Sequence, residues 1–477
     1  MADSLQLMSS SLLIDLQHLL GPERVSDAPD ELERFSGDAL TRYRTFNASG
    51  NVKVPPLVVA TPQTTHEVAS LVSYASRHGI PIVPRGGGTG VMGGAVPVDG
   101  SIVINLRSLE AIHKIDVEGH RAIVGAGAIL DDIENALIPH GLLLGHDPWS
   151  RPIATIGGAI STNGMGYLAG KYGSMGEQVQ GLKVVIGSGE VVETPSVPKI
   201  AGPDLDNLFI GAEGAMGIIT EATVEVFPQP EDRSLHSFRF SDFTPGFNAV
   251  QEMYSIGLRP AMLDFAEEYS ANTITQSAKS ITTLHLSFNG FTEEVIAQRD
   301  RARKICNASG GEEMPYQVAE SFWQNRHDTA ERYKREVQGF GASPRRHRKE
   351  RRMDYLHVAI PASTVLKYYV FCRGLLNDRG IPIREWSLWG RPEYFSLMIS
   401  DPSSSEEGDQ RLMAKTVDDL LTAAQDLGGS MEYCHGIGLK LTHLMMRDRG
   451  EAGMVALRNV KKALDPRGIL HPGNLGI

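Results

Sequence analysis

Two glycine-rich stretches contain residues that could bind a phosphate. Residues 85–90 read RGGGTG, and residues 154–164 read ATIGGAISTNG. Successive glycines let backbone N–H groups converge on an anion, because no Cβ stands in the way. The second stretch adds hydroxyl and amide donors. Tight turns in a strand-rich domain would explain one such loop, but two loops of this composition favour a ligand that carries phosphate.

The first stretch also contains a misleading motif. Residues 88–93 (GTGVMG) satisfy GxGxxG, the pattern of a Rossmann dinucleotide site. That site requires a helix to begin within the motif, because the helix N-terminus faces the pyrophosphate. Here the chain continues as GAVPVDG over residues 94–100 and then as a predicted strand. Proline, glycine and β-branched residues do not open a helix, so the Rossmann interpretation is rejected.

Length and composition restrict the class of protein. At 477 residues the chain is too long for one core, and about 150 residues per domain predicts about three units. The net charge of −11 argues against a protein that coats nucleic acid or anionic lipid, so no nucleic-acid partner is expected. Three cysteines cannot form a disulfide framework or a four-cysteine zinc site. The 50 glycines follow no Gly-X-Y period, which excludes collagen.

The chain shows no targeting or membrane signal that we recognise. Residues 1–20 lack a basic leader, and Asp15 interrupts their apolar stretch, which predicts an amphipathic helix. No apolar run reaches the ~18 residues of a transmembrane helix. We therefore expect a cytoplasmic protein with no integral membrane segment. The basic run at 345–352 (RRHRKERR) is interpreted as a solvated loop or subunit contact, with an entry route for acceptor or substrate as the alternative.

The elements that must position the glycine stretches alternate quickly. Thr64 and Glu67 form a capping box for a helix over 64–79. A second helix is predicted over 131–140. The predicted strands of this region are 80–83, 101–106, 121–125, 182–186, 191–193 and 223–227.

Longer helical patterns follow the prolines at 228 and 230. Helices are predicted over 293–308, 317–338, 362–379 and 406–427, and strands over 282–288, 355–360 and 394–399. This mixture predicts a separate α+β domain. A final helix over 454–464 precedes the turn DPRG at 465–468.

The order of these motifs resembles the FAD-linked oxidases and dehydrogenases of the vanillyl-alcohol oxidase / p-cresol methylhydroxylase superfamily. The motifs that carry the resemblance are RGGGTG at 85–90, DP at 147–148, ATIGG at 154–158, YG at 172–173, GAEG at 211–214, GIIT at 217–220, CHGIG at 434–438 and LDPRGIL at 464–470. The amino-acid sequences of these motifs are most similar to those of the branch with D-lactate, glycolate and D-2-hydroxyglutarate dehydrogenases.

The resemblance implies an α+β fold with a two-lobed FAD-binding domain of the p-cresol methylhydroxylase (PCMH) type and a substrate cap domain with an antiparallel sheet flanked by helices. We expect an N-terminal helical segment at 1–54, the FAD-binding domain at 55–232, the cap at 233–427 and a C-terminal segment at 428–477 that returns to the active site. Covalent flavoproteins of the superfamily often have a histidine in the first glycine loop, and its absence here predicts non-covalent FAD.

The residues that the resemblance assigns to FAD lie mainly in the two glycine stretches and in the motifs at 211–220. They are Pro84, Arg85, Gly86, Gly87, Gly88, Thr89, Gly90, Gly94, Ala95, Pro148, Thr155, Gly157, Gly158, Ser161, Thr162, Gly164, Tyr172, Glu213, Gly217, Ile218, Ile219 and Asn474.

Two further residues match the family's catalytic positions. His435 matches the histidine near the flavin that accepts the proton of the substrate hydroxyl, and imidazole suits a base near neutral pH. A histidine that only satisfies backbone in a glycine turn is the alternative. Arg326 stands in FWQNR at 322–326 and matches an arginine that binds a substrate carboxylate, for which a guanidinium fork is well shaped. A surface salt bridge is the alternative for Arg326.

The sequence departs from the branch at its metal site. Where the branch has a histidine-rich stretch, residues 388–396 read LWGRPEYFS, and Cys434 replaces the glutamate before the catalytic histidine. We therefore predict no metal. Arg391, Tyr394 and Tyr433 lie in this neighbourhood with Glu393 and Glu432, and we expect them to replace the metal's contacts by hydrogen bonds.

The resemblance implies an enzyme that dehydrogenates a hydroxylated small molecule, foremost a 2-hydroxy acid, by hydride transfer to flavin N5. Two alternatives remain: a phenolic or aromatic alcohol oxidase, and a non-redox transferase similar to alkylglycerone-phosphate synthase. The electron acceptor is open among oxygen, a quinone and an electron-transfer protein. A homodimer is compatible with the sequence.

Overall fold

The computed structural model describes residues 2–40, 54–198, 201–269, 280–335, 353–402 and 410–477. The basic run at 345–352 lies outside the described residues, as do the end of the helix predicted over 317–338 and the start of that predicted over 406–427. Among the described residues, no helix is long and apolar enough to cross a lipid bilayer.

The first lobe contains a four-stranded sheet with the order β1-β2-β4-β3, in which β2, β4 and β3 run parallel. Its elements are α1 (Ala2–Leu20), β1 (Val25–Ser26), α2 (Pro29–Arg34), β2 (Val58–Ala60), α3 (Thr65–His78), β3 (Ile82–Arg85) and β4 (Ile102–Asn105). The capping box predicts α3 correctly, since the Thr64 hydroxyl accepts the Glu67 N–H at 3.1 Å. Leu12, Leu16 and Leu20 bury one face of the predicted N-terminal helix.

The second lobe contains a five-stranded antiparallel sheet with the order β5-β6-β10-β8-β9. Its elements are β5 (Ile112–Asp116), β6 (Arg121–Gly125), α4 (Leu130–Leu137), β7 (Leu142–Leu143), α5 (Ile156–Thr162), α6 (Ala169–Tyr172), β8 (Val179–Val185), β9 (Val191–Glu193), β10 (Ile218–Glu225) and β11 (Phe227–Pro228). The strands predicted over 182–186 and 191–193 correspond to β8 and β9, which pair with each other.

The cap contains a seven-stranded antiparallel sheet with the order β15-β12-β14-β13-β17-β18-β16. Its elements are β12 (Asp232–Phe240), α7 (Phe243–Ser255), β13 (Met262–Tyr269), β14 (Ser280–Gly290), α8 (Thr292–Ala308), β15 (Glu312–Glu313), α9 (Tyr316–Asn325), α10 (Asp328–Tyr333), β16 (Met353–Ala359), α11 (Val365–Asp378), β17 (Ile383–Trp389), β18 (Tyr394–Ser400) and α12 (Gln410–Asp426). Aromatic side chains including Phe243, Phe265, Trp386 and Phe395 form its core.

The prediction for the cap needs correction in two respects. The helix predicted over 317–338 is divided into α9 and α10, because the chain turns at Arg326 and His327, whose side chains reach Asp147 in the first domain. Strands β12, β13 and β17 were not predicted. Both errors arise from contacts between residues far apart in the chain, which local patterns do not contain.

The C-terminal segment returns to the first domain. It contains α13 (Gly438–Leu441) and α14 (Met445–Leu464). Leu470 forms a parallel bridge with Ile82, and the His471 N–H donates to the Ile82 carbonyl at 2.8 Å. The protein is therefore α+β, with the C-terminal turn at 434–438 held between the cap and the first domain.

Candidate active site

A cleft of about 1380 Å³, including its open mouth, lies where the first domain, the cap and the C-terminal turn meet. Of the 22 residues predicted to bind FAD, 20 line it. They are Pro84, Arg85, Gly86, Gly87, Gly88, Thr89, Gly90, Gly94, Ala95, Pro148, Thr155, Gly157, Gly158, Ser161, Thr162, Gly164, Glu213, Gly217, Ile218 and Ile219. Tyr172 and Asn474 do not line the cleft. Tyr172 instead packs against Phe227, with ring centroids 4.5 Å apart.

The first glycine loop approaches the second stretch so closely that side chains are excluded. A Cβ at Gly86 would overlap the Thr155 hydroxyl, and a Cβ at Gly87 would overlap the Ile153 carbonyl. These two glycines therefore have a packing role in addition to exposing backbone N–H groups. The same backbone forms the wall of the cleft.

The second glycine stretch is not a loop throughout, which corrects the prediction. Thr155 accepts the Gly158 N–H at 3.2 Å and caps α5, which begins at Ile156. Glycine at 157 is required because a Cβ there would lie 2.7 Å from the Ala126 Cβ. Tertiary packing against β6 therefore outweighs the low helix propensity of two glycines.

Glu213 fastens the C-terminal turn to the wall of the cleft. One of its carboxylate oxygens accepts the Ile437 N–H at 2.5 Å, and the other accepts the Gly438 N–H at 2.9 Å. Asn474 donates to the same carboxylate at 3.3 Å, so this residue supports Glu213 without touching the cleft. Burial raises the pKa of Glu213 to about 7, although these hydrogen bonds oppose the shift.

His435 is the predicted catalytic residue that the fold brings to the cleft. Its side chain is 19% exposed, and its Nδ1 lies 3.9 Å from the Glu432 carboxylate. The same carboxylate oxygen accepts the backbone N–H groups of Tyr433, Cys434 and His435 at 3.1, 2.7 and 3.1 Å. Glu432 therefore fixes the turn that presents the imidazole.

Arg326 does not line the cleft. Its Nε donates to Asp147 at 2.8 Å, and its guanidinium lies 3.6 Å from the Trp323 ring centroid. Asp147 also contacts Arg151 at 3.1 Å and His327 at 2.9 Å. Burial alone would raise the pKa of Asp147, but these three partners hold it well below its usual value. The geometry favours a structural role for Arg326 over carboxylate binding.

The remaining predicted residues lie beside the cleft and not in its lining. Tyr394 and Tyr433 are stacked with centroids 4.5 Å apart, and the Tyr433 hydroxyl is 2.9 Å from that of Ser396. Burial raises the pKa of Tyr433 well above its usual value, so its phenol stays protonated. Arg391 has a side chain that is 48% exposed and lies 3.4 Å from Glu393.

Several residues of the cleft were not predicted from the sequence. Tyr167 and Trp389 line it as a stacked pair with centroids 6.3 Å apart. His146 also lines it and is 2% exposed, and burial lowers its pKa to about 4. Within the described part of the chain, the His146 Nδ1 has no hydrogen-bond partner. Its position next to the DP motif was the available signal, and a buried polar atom facing a cleft fits a bound ligand.

The prediction of no metal rested on missing family ligands. The fold brings together a different set of possible metal ligands, because His357 of β16 lies beside His435 and Glu432. The His357 and His435 ring centroids are 4.3 Å apart. His357 was not identified from the sequence, since it lies 78 positions before His435 in an ordinary strand pattern.

Comparisons with known proteins agree with this geometry. A family described as FAD binding domain matches residues 56–195, and one described as FAD linked oxidases, C-terminal domain, matches residues 229–475. Glycolate oxidase subunit GlcD of Bacillus subtilis (strain 168) is 28% identical, covering 95% of this chain and 94% of that protein. Alkyldihydroxyacetonephosphate synthase of Trypanosoma brucei brucei is 25% identical, covering 89% of this chain and 74% of that protein.

A solved structure shares the whole architecture. The crystal structure of p-cresol methylhydroxylase with substrate bound aligns with a TM-score of 0.77 at 18% identity, covering 98% of this chain and 96% of that one. The glycine wall that excludes Cβ atoms and the buried His146 fit a flavin dinucleotide in the cleft. The chain belongs to the FAD-linked oxidases, within the vanillyl-alcohol oxidase / p-cresol methylhydroxylase superfamily, and FAD is its cofactor.

Proposed function

We propose that this FAD-dependent oxidoreductase dehydrogenates the hydroxyl-bearing carbon of a 2-hydroxy acid. The observation that carries the proposal is the position of His435, whose imidazole is presented at the wall of the flavin cleft by a turn that Glu432 holds. Bound FAD supplies a two-electron acceptor for the hydride. The protein must supply a base for the hydroxyl proton and a pocket that orients the C–H bond.

His435 is the base in this proposal. The Glu432 carboxylate lies on the Nδ1 side of the ring at 3.9 Å, which favours a proton on Nδ1 and leaves Nε2 to accept the substrate proton. The carboxylate also stabilises the imidazolium that forms. Tyr167 and Trp389 supply an apolar wall that excludes water from the reacting carbon.

The loop that faces His435 is fixed from the cap. Asp147 binds Arg326 and His327 of the cap, and its carbonyl accepts the Tyr167 N–H at 2.8 Å. This connection holds the neighbouring His146 in the wall of the cleft. Arg326 is therefore a positioning residue here, and Arg391 is the better candidate for the substrate carboxylate, since it is half exposed and its ion pair is longer.

The relative GlcD, a glycolate oxidase subunit, supports the 2-hydroxy acid class at 28% identity. The test is anaerobic bleaching of the bound flavin by a panel of D- and L-2-hydroxy acids and phenolic alcohols. We expect at least one 2-hydroxy acid to bleach the flavin. Bleaching by phenolic alcohols alone would replace this proposal by the aromatic alcohol oxidase.

A second candidate is the non-redox exchange of an acyl for an alkyl group. Similarity to alkyldihydroxyacetonephosphate synthase over 89% of this chain supports it. Turnover of an acylated dihydroxyacetone phosphate with a fatty alcohol, without any external electron acceptor, would establish this candidate. No turnover under those conditions would dismiss it.

A further inference from the structure

We propose that His357, Glu432 and His435 form a binding site for one divalent transition-metal ion, and that an ion in this site prevents His435 from acting as a base. The inhibitory effect rests on the proposed function, whereas the metal site itself does not. The three residues come from β16 and the C-terminal turn, which only the fold brings together.

The geometry places three different donors around one point. One ligand atom from each residue lies within 4.8 Å of the others, and the shortest distance between the His435 Nδ1 and the Glu432 carboxylate is 3.9 Å. The two imidazole rings are nearly perpendicular, at 83°, with centroids 4.3 Å apart. Zinc bonds of about 2.0–2.2 Å require donor atoms about 3.4 Å apart in a tetrahedral site. The His435 and Glu432 donors must therefore approach by about 0.5 Å, and the other pairs by at most about 1.4 Å.

The His435 side chain has the most room to make this movement, because at 19% exposure it is the most exposed of the three. The other two donors are held in place. The ring of His357, 1% exposed, is stacked on Tyr355 at 4.7 Å, and Glu432 accepts three backbone N–H groups. Such outer contacts orient ligands before an ion arrives.

The donor set selects the class of ion. Two imidazoles and one carboxylate suit zinc and other first-row divalent ions, and three protein ligands leave a fourth position open. Glu432 carries the negative charge that attracts the cation, and the imidazoles bind in their neutral form. Because His435 lines the cleft, an ion can reach the site from the cleft.

This site differs from the one that the hydroxy-acid branch uses. The branch's histidine-rich stretch is absent at 388–396, and Cys434 stands where its glutamate would be. Here the proposed base itself supplies a ligand. An ion on the His435 Nδ1 leaves the proton of the neutral imidazole on Nε2, the nitrogen that would accept the substrate proton, so metal binding inhibits the reaction.

Equilibrium dialysis of the FAD-loaded protein against Zn²⁺, followed by elemental analysis, tests the site directly. The wild type should retain one more tightly bound ion per chain than His357→Ala, Glu432→Gln and His435→Ala. Glutamine keeps an oxygen that can accept the same three N–H groups, so this variant preserves the turn. His443→Ala is the matched control, since it removes a surface histidine paired with Asp418 and should bind like the wild type.

Loss of one ligand should weaken Zn²⁺ binding by more than about 100-fold, which exceeds the usual effect of losing an outer contact. Equal Zn²⁺ binding by the wild type and all three site variants would overturn the proposal. Bound FAD in each variant, measured by absorbance, shows that the fold is retained.

Stopped-flow reduction of the flavin tests the inhibitory effect of the bound ion. Zn²⁺ should slow reduction by substrate in the wild type and not in His357→Ala. Zn²⁺ that binds to the site without slowing reduction would overturn the inhibitory role. If no hydroxylated compound reduces the flavin, the proposed function fails, and the dialysis still decides whether the site exists.

Discussion

Replacing Arg326 by methionine distinguishes an arginine that binds substrate from one that joins the cap to the first domain. The guanidinium is 10% exposed, pairs with the 1% exposed Asp147 at 2.8 Å and covers the Trp323 ring. Removing one partner of a buried ion pair costs about 3–5 kcal/mol. In the variant, Arg151 and His327 still neutralise Asp147, and methionine keeps part of the packing. We therefore expect the free energy of unfolding to fall by about 2–3 kcal/mol.

Thermal unfolding of the FAD-loaded protein measures this loss. For a unit of about 150–250 residues, 1 kcal/mol shifts Tm by about 2–4 °C, so Arg326→Met should lower the Tm of the cap transition by roughly 4–12 °C. Asp147→Asn should lower it at least as much. The double variant should be less destabilised than the sum by at least about 1 kcal/mol, because both changes remove the same contact.

Arg332→Met is the matched control. It removes a cation from the neighbouring helix α10, where the residue is exposed, and should change stability by less than about 0.5 kcal/mol. An unchanged Tm for Arg326→Met, together with a raised substrate KM, would refute the structural role and restore the carboxylate anchor.

Three other changes test the cleft. Gly86→Ala should weaken FAD binding by about 5- to 100-fold in fluorescence titrations, because the added Cβ overlaps the Thr155 hydroxyl at a cost of about 1–3 kcal/mol. The control is Gly374→Ala, whose added Cβ meets no neighbouring atom, and this variant should bind FAD normally. Glu213 has a folded pKa of about 7 against an ordinary 4.5, so its contribution to stability is complete below pH 4.5 and is lost as pH rises through 7. Relative to Glu213→Gln, the wild type should therefore lose up to about 3 kcal/mol of folding stability between pH 5 and 8.5, measured by thermal unfolding. A stability difference between the two proteins that stays constant with pH would contradict the raised pKa. Arg391→Met should raise the KM for a 2-hydroxy acid more than it lowers kcat, and unchanged kinetics would exclude Arg391 as the anchor.

Local patterns predicted those parts of the fold whose signals lie within one element. The capping box at Thr64 fixed α3, and the glycine order located the cleft, because backbone exposure is encoded by the residue itself. Strand β17 was missed because Glu385 and Ser387 are buried polar residues, which interrupt the apolar pattern of a strand. Helix α5 was missed because its Gly157 is required by packing against Ala126, just after β6.

The candidate site also contains residues that a local motif predicts and residues that only the fold brings together. His435 could be predicted from its motif, whereas His146 and His357 become neighbours of the cleft only after folding. Arg326 matched a local motif, but its partner Asp147 lies 179 positions earlier, and this distant carboxylate decides its role. Motifs report which side chains are present, and the pairing of charges depends on the fold.

The most direct test of the proposed function is flavin reduction in His435→Ala under anaerobic stopped-flow conditions. The variant should retain FAD, since the glycine wall is unchanged, and its reduction by the substrate that bleaches the wild type should be slower by about 10²–10⁴-fold. Reduction at the wild-type rate, with FAD fully bound, would contradict the assignment of His435 as the base.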